Sequence, residues 1–284
     1  DLCDDIETIH VSTDHPVLKY EQDCLIDKRD NTLILFCGKH SSFDIPDGIV
    51  SIGKDAFYNK ENLINVTIPS SVRTVQDSAF TYCTNLESVR ISEGVYSIGK
   101  NAFSSCYNLT EIILPESLIE LGSEAFALCG SLKKLTIPDN LTTIDDTAIS
   151  SCSGLESIIV SNKHPFLKFN NGFLINKDSH VLLGYYGKKT EITIPEEVTA
   201  IGDYSFYCRN DIVSVAIPEG IISIGDSAFR GCDSLKKVTI PSTVETIEGR
   251  AFFNCGRLRT ITILADDFKW DETSFNTGPS IYNN

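Results

Sequence analysis

The chain repeats itself with a period of 23 residues. The dipeptide Ile-Pro recurs in register along the sequence, and apolar residues stand at the equivalent positions elsewhere. These anchors are Val11, Ile45, Ile68, Ile91, Leu114, Ile137, Val160, Ile194, Ile217, Ile240 and Ile263. Consecutive anchors lie 34, then five times 23, then 34, then three times 23 residues apart. A fixed period of this length is typical of a solenoid, in which a unit buries its apolar residues only by stacking on its neighbours.

Each unit follows the pattern P-x-x-V-x-x-I-G-x-x-A-F-x-x-C-x-x-L-x-x-V-x-I. Residues 86–91 alternate apolar and polar side chains, which predicts a short strand with one buried face. Pro follows most anchors and has no N–H to donate, so the strand ends there. The pair Ala79-Phe80, which recurs in other units, predicts a short helical turn with Phe in the interior. Stacked units then align their strands in one continuous parallel sheet.

The sequence therefore predicts an α/β repeat fold, a solenoid with a concave parallel β-sheet and with short strands and helical turns on the convex side. We expect a single array over residues 1–284, with 23-residue units anchored at 45, 68, 91, 114, 137, 194, 217, 240 and 263. The 34-residue units, 11–45 and 160–194, align with each other. In the first, the polar residues 27–31 separate two apolar runs, which predicts a β-hairpin insert. Residues 264–284 are more polar, which predicts a C-terminal cap.

The repeat unit resembles the leucine-rich repeat of the BspA-like, or Treponema pallidum-type, class. The resemblance rests on IPxxVxxIGxxAFxxCxxLxxVxIP in residues 45–68, 68–91, 91–114, 114–137 and 217–263. It implies a leucine-rich-repeat solenoid with two hairpin inserts. Proteins of the class that this repeat resembles are surface or secreted adhesins. The resemblance therefore implies a non-enzymatic module, extracellular or on the cell surface, that binds a host or matrix protein or glycoprotein. A structural spacer within a larger surface protein is the alternative.

Composition narrows the choice of partners. The chain has 24 Lys and Arg against 39 Asp and Glu, a formal net charge of -15. Phosphate backbones and anionic lipid repel such a chain, which disfavours binding to nucleic acid or to membrane surfaces. No apolar run reaches the roughly 18 residues of a membrane helix, so we expect no membrane insertion by this fragment. The absence of Met predicts a processed or trimmed fragment. Separately, we expect the chain to be a monomer.

Ten cysteines stand out in a chain of this length. Seven of them occupy one repeat position: Cys3, Cys83, Cys106, Cys129, Cys152, Cys232 and Cys255. Cys208 lies one residue away from that position in its own unit. No CxxC pair is present, which disfavours a zinc site. Stacked coils point successive Cβ atoms the same way, so the pattern predicts a ladder of buried thiols rather than disulfides. Whether Cys24 and Cys37 in the first insert are bridged stays open.

The sequence offers little support for catalysis. Residues 48–54 and 94–101 resemble a phosphate-binding loop, but they lack the terminal Ser or Thr and the following long helix. No GxSxG, HExxH or GxGxxG motif is present. His15 and His164 occupy the same place in the two inserts, which favours a role in the turn. We therefore expect no catalytic residue, metal or cofactor, with an enzyme as a remote alternative. Glycosylation of the sequons at Asn65, Asn108 and Asn140 stays open.

The candidate ligand-binding residues are those predicted to point outward from the concave sheet. They flank the buried residues of each strand: Asn65, Thr67, Ser88, Arg90, Glu111, Ile113, Lys134, Thr136, Ser157, Ile159, Glu191, Thr193, Lys237 and Thr239. Ile113 and Ile159 are apolar where a polar residue is expected, which favours a contact patch. Strand propensity alone would also select isoleucine at these positions.

Overall fold

A computed structural model describes residues 9–275, and within them it contains β-strands and turns but no helix. The described chain divides into two compact units. The first comprises residues 9–155 with Ile159–Pro165, and the second comprises Glu156–Ile158 with residues 166–275. The prediction of one array through both units stays a prediction.

Each coil contributes a long strand and a two-residue short strand. The long strands are β4 (Ser42–Asp44), β6 (Asn65–Ile68), β8 (Ser88–Ile91), β10 (Glu111–Ile113), β12 (Lys134–Ile137), β14 (Ser157–Val160), β18 (Glu191–Thr193), β20 (Ser214–Ala216), β22 (Lys237–Ile240) and β24 (Thr260–Ile263). The short strands are β5 (Ser51–Ile52), β7 (Thr74–Val75), β9 (Ser97–Ile98), β11 (Glu120–Leu121), β13 (Thr143–Ile144), β19 (Ala200–Ile201), β21 (Ser223–Ile224), β23 (Thr246–Ile247) and β25 (Lys269–Trp270).

The two inserts supply three strands each. These are β1 (Leu18–Glu21), β2 (Cys24–Asp27) and β3 (Thr32–Phe36) in the first insert, and β15 (Leu167–Asn170), β16 (Phe173–Asn176) and β17 (Val181–Tyr185) in the second. Strands within an insert pair antiparallel, which confirms the predicted hairpin of β2 and β3 and adds β1 to it. The last insert strand then pairs parallel with a short strand, β3 with β5 and β17 with β19.

The strands form four sheets. The long strands form a six-stranded sheet in the order β14-β12-β10-β8-β6-β4 and a four-stranded sheet in the order β18-β20-β22-β24. The short and insert strands form an eight-stranded sheet, β1-β2-β3-β5-β7-β9-β11-β13, and a seven-stranded sheet, β15-β16-β17-β19-β21-β23-β25. Within the described residues the long strands thus form two sheets rather than the single continuous sheet predicted, and the division falls between the anchors Val160 and Ile194.

The register of the long strands confirms the 23-residue repeat. β6 pairs with β8 from Asn65 opposite Ser88 to Ile68 opposite Ile91. The inward residues Val66 and Val89 are buried, as the alternating pattern predicts. Since one face of each strand is buried, a slip of one residue would expose this apolar set to water.

The helical turns predicted at the Ala-Phe pairs are wrong. Ser78 and Tyr82, on either side of Ala79-Phe80, have φ values of 57° and 60°, whereas an α-helix needs φ near −63° at every residue. The segment instead makes tight turns, and the Phe80 N–H donates to the Ala102 carbonyl of the next coil at 2.7 Å. Hydrogen bonds between coils replace those within a helix.

Stacked phenylalanines fill the interior of each unit. The rings of Phe57, Phe80, Phe103 and Phe126 have successive centroid separations of 4.6, 5.0 and 5.4 Å. In the second unit, Phe206, Phe229 and Phe252 stack at 4.7 and 5.1 Å. All seven side chains are fully buried. The prediction that this Phe fills the interior is confirmed.

Each repeated cysteine thiol donates a hydrogen bond to a backbone carbonyl of the preceding coil. The Cys83 thiol donates to the Phe57 carbonyl with 3.0 Å between Sγ and O. The same contact recurs at Cys106, Cys129, Cys152, Cys232 and Cys255. The nine cysteines within the described residues are free thiols, Cys24 and Cys37 among them, and Cys3 lies outside those residues. A small side chain with a weak donor fits this buried position.

We expect the repeated thiols to resist alkylation in the folded chain. Burial raises the pKa of Cys83 to about 12 and that of Cys255 to about 11. The thiolate is the reactive form, so burial both blocks access to the Cys83 thiol and disfavours its ionisation at pH 8. Peptide mapping by mass spectrometry after brief iodoacetamide treatment checks this, with guanidinium-unfolded chain as the control. Rapid labelling of Cys83 in folded protein would contradict the burial.

Arg209 occupies the cysteine position in the first coil after the second insert. Its guanidinium donates to the Tyr185 carbonyl, to the Gly187 carbonyl at 2.7 Å and to the Asp211 carboxylate at 2.7 Å. It also lies over the Tyr185 ring, 4.9 Å from the centroid. Burial raises the pKa of Asp211, but the hydrogen bond and the charge of Arg209 outweigh it, so the pKa lies below its ordinary value. Arg209 thus joins the insert to the coil that follows.

The predicted cap at 264–284 is described only up to residue 275. Within that part, β25 continues the sheet of short strands, and Phe275 stacks on Phe252 at 5.7 Å. The segment therefore continues the repeat before the described residues end.

Candidate functional site

The outward residues of the long strands form rows, as the sequence predicts. In the six-stranded sheet, one row follows the strand pairs through Asn65, Ser88, Glu111 and Lys134. A second row follows them through Thr67, Arg90 and Ile113. Thr136, Ser157 and Ile159 stand at the corresponding positions of β12 and β14. All of these side chains are exposed or half-buried, so both rows are accessible to a partner.

The two outward isoleucines differ in exposure. Ile113 is 65% exposed and Ile159 is 43% exposed. Ile113 lies beside Arg90 in the neighbouring strand, so it is an isolated apolar side chain within a polar row. Single exposed apolar residues are common on soluble proteins. The contact patch at these positions stays a prediction.

The four-stranded sheet carries a groove on its outward face, which we name the sheet groove. Its volume is about 560 Å³, and its walls are Glu191, Ile192, Thr193, Ser214, Val215, Ala216, Ile217, Lys237, Val238 and Thr239. The small side chains Ser214 and Ala216 of β20 lie between the larger ones of β18 and β22, which leaves the depression. Four of the predicted residues line it: Glu191, Thr193, Lys237 and Thr239.

Charge is arranged across the sheet groove. Glu191 and Lys237 face outward two strands apart, so their backbones are about 10 Å apart. The hydroxyls of Thr193, Ser214 and Thr239 lie between or beside them and act as donors or acceptors. The groove therefore presents a carboxylate on one wall, an ammonium on the other and neutral polar groups between.

A second cavity adjoins the sheet groove, and we name it the edge cavity. Its volume is about 440 Å³, and it shares Glu191, Ile192 and Thr193 with the groove. The other lining residues are Asn170, Asn171, Phe173, Ile175, Tyr185, Lys189, Ile194, Pro195, Glu196 and Glu197. It lies between the second insert and β18, the edge strand of the four-stranded sheet.

Sequence reasoning missed the turn that borders the edge cavity. Asn171 and Gly172 connect β15 to β16 with φ values of 51° and 88°. A two-residue turn with both φ positive is the type I′ hairpin turn, and Asn-Gly is its strongest sequence signal. That dipeptide would have predicted the hairpin of β15 and β16.

The first unit has a matching arrangement. Gln22 and Asp23 form the equivalent turn, with φ values of 48° and 59°. A cavity of about 630 Å³ lies beside β4, the edge strand of the six-stranded sheet, and its lining includes Gln22, Asp44 and Thr67. Both inserts therefore place a hairpin turn beside the first long strand that follows them.

Two other kinds of site are absent from residues 9–275. No group of three or more His, Cys, Asp or Glu side chains within that range converges so as to hold a metal ion. The same residues contain no helix with the length and apolarity needed to cross a bilayer.

Comparison with known structures supports the repeat architecture. A leucine-rich repeat protein from Eubacterium ventriosum is 27% identical, with a TM-score of 0.77 over 89% of this chain and 71% of that one. The pneumococcal vaccine antigen PcpA is 21% identical, with a TM-score of 0.70 over 89% and 77%. A leucine rich cell surface protein from Faecalibacterium prausnitzii is 20% identical, with a TM-score of 0.51 over 95% and 100%. The last two likenesses bear on the fold alone.

Comparison with sequence families gives a direct assignment. No curated protein matches the chain significantly in sequence. The profile described as the BspA type leucine-rich repeat region matches residues 32–163 and 185–281, in six copies. Those ranges span most of the chain and contain most of its 23-residue units. The chain belongs to the BspA-type leucine-rich repeat family.

Proposed function

We propose that the chain is a non-enzymatic binding module that recognises a protein or glycoprotein through the sheet groove. The observation that carries the proposal is the groove itself, where four predicted residues line one depression of about 560 Å³. A rigid parallel sheet holds these side chains in place, so a partner meets a surface that needs little ordering.

We also propose that the module acts outside the cell or at its surface. Support comes from the family and from the similar structures, among which are a vaccine antigen and a cell surface protein. The net charge of -15 means that a partner approaches an acidic surface on which Lys237 is a local positive site. A host or matrix ligand with a carboxylate near Lys237 and a base near Glu191 fits the groove.

Charge reversal at Lys237 tests the proposal. The intact chain is applied to an array of immobilised extracellular-matrix proteins and glycoproteins. We expect Lys237→Glu to weaken binding to the captured component about tenfold, since it repels the group that Lys237 attracts. The matched control is Lys236→Glu, because Lys236 is also exposed and is adjacent in sequence but lies outside the groove.

The outcomes separate the two functions. Equal loss of binding in both variants would mean that net charge, not the groove, governs binding. If no component of the array retains the wild-type chain, the structural-spacer alternative gains.

A further inference from the structure

The backbone of β18 has an unused side. In the ladder with β20, the Thr190 carbonyl accepts from Ser214, and the Ile194 N–H donates to the Ala216 carbonyl. Alternate residues of a strand direct their N–H and C=O groups to opposite sides. Ile192 therefore faces β20, whereas the backbone groups of Glu191 and Thr193 point away from it.

Those outward backbone groups lie at an open sheet edge. Within the described chain β18 pairs only with β20, and no backbone partner is seen there for the N–H or C=O of Glu191 and Thr193. The edge cavity of about 440 Å³ borders both residues. Two donors and two acceptors thus stand beside a space that a short extended segment can occupy.

The same arrangement recurs at the first insert, as an independent observation. The Ile45 N–H donates to the Thr67 carbonyl, and the Ser41 carbonyl accepts from Asn65. The backbone groups of Ser42 and Asp44 therefore point away from β6, and among residues 9–275 β4 is an edge strand. A cavity of about 630 Å³ lies there beneath a hairpin turn. An open edge beside a cavity is thus a feature of both inserts.

We propose that β18 binds an extended peptide, which adds to the four-stranded sheet as a further strand. Such strand addition takes its affinity from backbone hydrogen bonds and its specificity from side-chain pockets. The lining of the edge cavity includes the buried apolar side chains of Phe173 and Ile175, and its charged residues, one lysine and three glutamates, leave it net negative: Lys189, Glu191, Glu196 and Glu197. The partner is therefore a segment that alternates apolar and basic residues.

A short peptide of this composition provides the probe. The peptide acetyl-Lys-Val-Lys-Val-Lys-amide is titrated into the full chain and followed by NMR chemical shifts. We expect saturable binding with shifts at Glu191 and Thr193. The peptide of the same sequence with every backbone N–H methylated, and the analogue with glutamate in place of lysine, are each expected to bind at least tenfold more weakly. Equal affinity of either analogue, or no binding at all, overturns the proposal.

Two variants at one position separate backbone from side chain. Thr193→Pro removes an N–H that points to the open edge, where proline is tolerated, so the fold should persist by circular dichroism. The substitution should lower the affinity for the peptide about tenfold. Thr193→Ala, which keeps the N–H, should bind the peptide as the wild type does. If a folded Thr193→Pro variant binds the peptide as the wild type does, strand addition is overturned. If that variant fails to fold, the comparison with the methylated peptide is the test of strand addition.

This inference does not rest on the proposed function. Lys237 lines the sheet groove but not the edge cavity. Lys237→Glu should therefore not weaken peptide binding, because it adds negative charge near Glu191 that attracts a basic peptide. Loss of peptide binding in that variant overturns the separation of the two sites.

Discussion

Replacing Phe103 by alanine is expected to lower the free energy of unfolding by about 3–5 kcal/mol. The side chain is fully buried, and its ring stacks on Phe80 at 5.0 Å and on Phe126 at 5.4 Å. Its removal forfeits both stacking contacts and leaves a cavity that the stacked coils cannot close, since the hydrogen bonds between coils fix their separation. Urea denaturation followed by circular dichroism measures the loss.

Tyr107→Ala is the matched control. Tyr107 is an aromatic residue of the same coil but is 45% exposed, so its truncation should cost about 1 kcal/mol or less. Because each coil depends on its neighbours, hydrogen exchange in the Phe103→Ala variant should also show lost protection at the N–H of Phe80 and at that of position 103. Equal costs for the two substitutions would contradict the assigned register.

Arg209→Ala is expected to lower the free energy of unfolding by about 3 kcal/mol, because it removes several charge-assisted hydrogen bonds at once. Two of these bonds hold insert carbonyls, so the loss should appear first as faster hydrogen exchange in β16 and β17. Arg209→Lys should recover only part of the loss, since an ammonium cannot reproduce the planar fork of the guanidinium.

Lys60 provides the internal comparison for Arg209, since it occupies the same repeat position after the first insert. No guanidinium fork is present there, so Lys60→Ala should cost about 1 kcal/mol or less. A cost as large as that of Arg209→Ala would mean that the position, rather than the guanidinium contacts, stabilises the insert.

Acid should reduce the contribution of Arg209. The pKa of Asp211 is lower in the folded chain than its usual unfolded value of about 3.9. The ionised carboxylate therefore stabilises the fold above about pH 4, and this contribution is lost as the pH falls through the folded pKa. The difference in stability between wild type and Arg209→Ala should be constant from about pH 5 to 7 and shrink at lower pH.

The buried residues of the interior were predictable because apolar residues recur in the sequence with a fixed period. Val66, Val89 and Phe80 recur at a fixed spacing, and a fixed spacing leaves one register in which all of them are buried. The outward rows follow from the same alternation, since strand side chains alternate between the two faces. The sequence thus contained Glu191 and Lys237 as neighbours across one strand.

The turns and the site boundaries were harder to predict, for a physical reason. Ser78 and Tyr82 adopt positive φ, although neither residue type prefers it, because hydrogen bonds to the next coil compensate for the strain. Local propensity therefore pointed to a helix that stacking overrides. The sheet groove depends on the small size of Ser214 and Ala216 relative to their neighbours. An alternating strand pattern predicts which side chains face outward but not such a difference in size.

The hydrogen bonds between coils also bear on how such a chain can change in length. Each coil offers the next the same backbone donors and acceptors, as Phe80 does to Ala102 and Phe103 does to Ala125. Unequal recombination that inserts or deletes 23 codons therefore preserves the backbone hydrogen bonds between coils. An indel of another size shifts the apolar set out of the interior unless its residues form an insert, as they do in the two 34-residue units. Genetic variation in the number of coils is thus tolerated in whole repeats, and with it the extent of surface available to a partner.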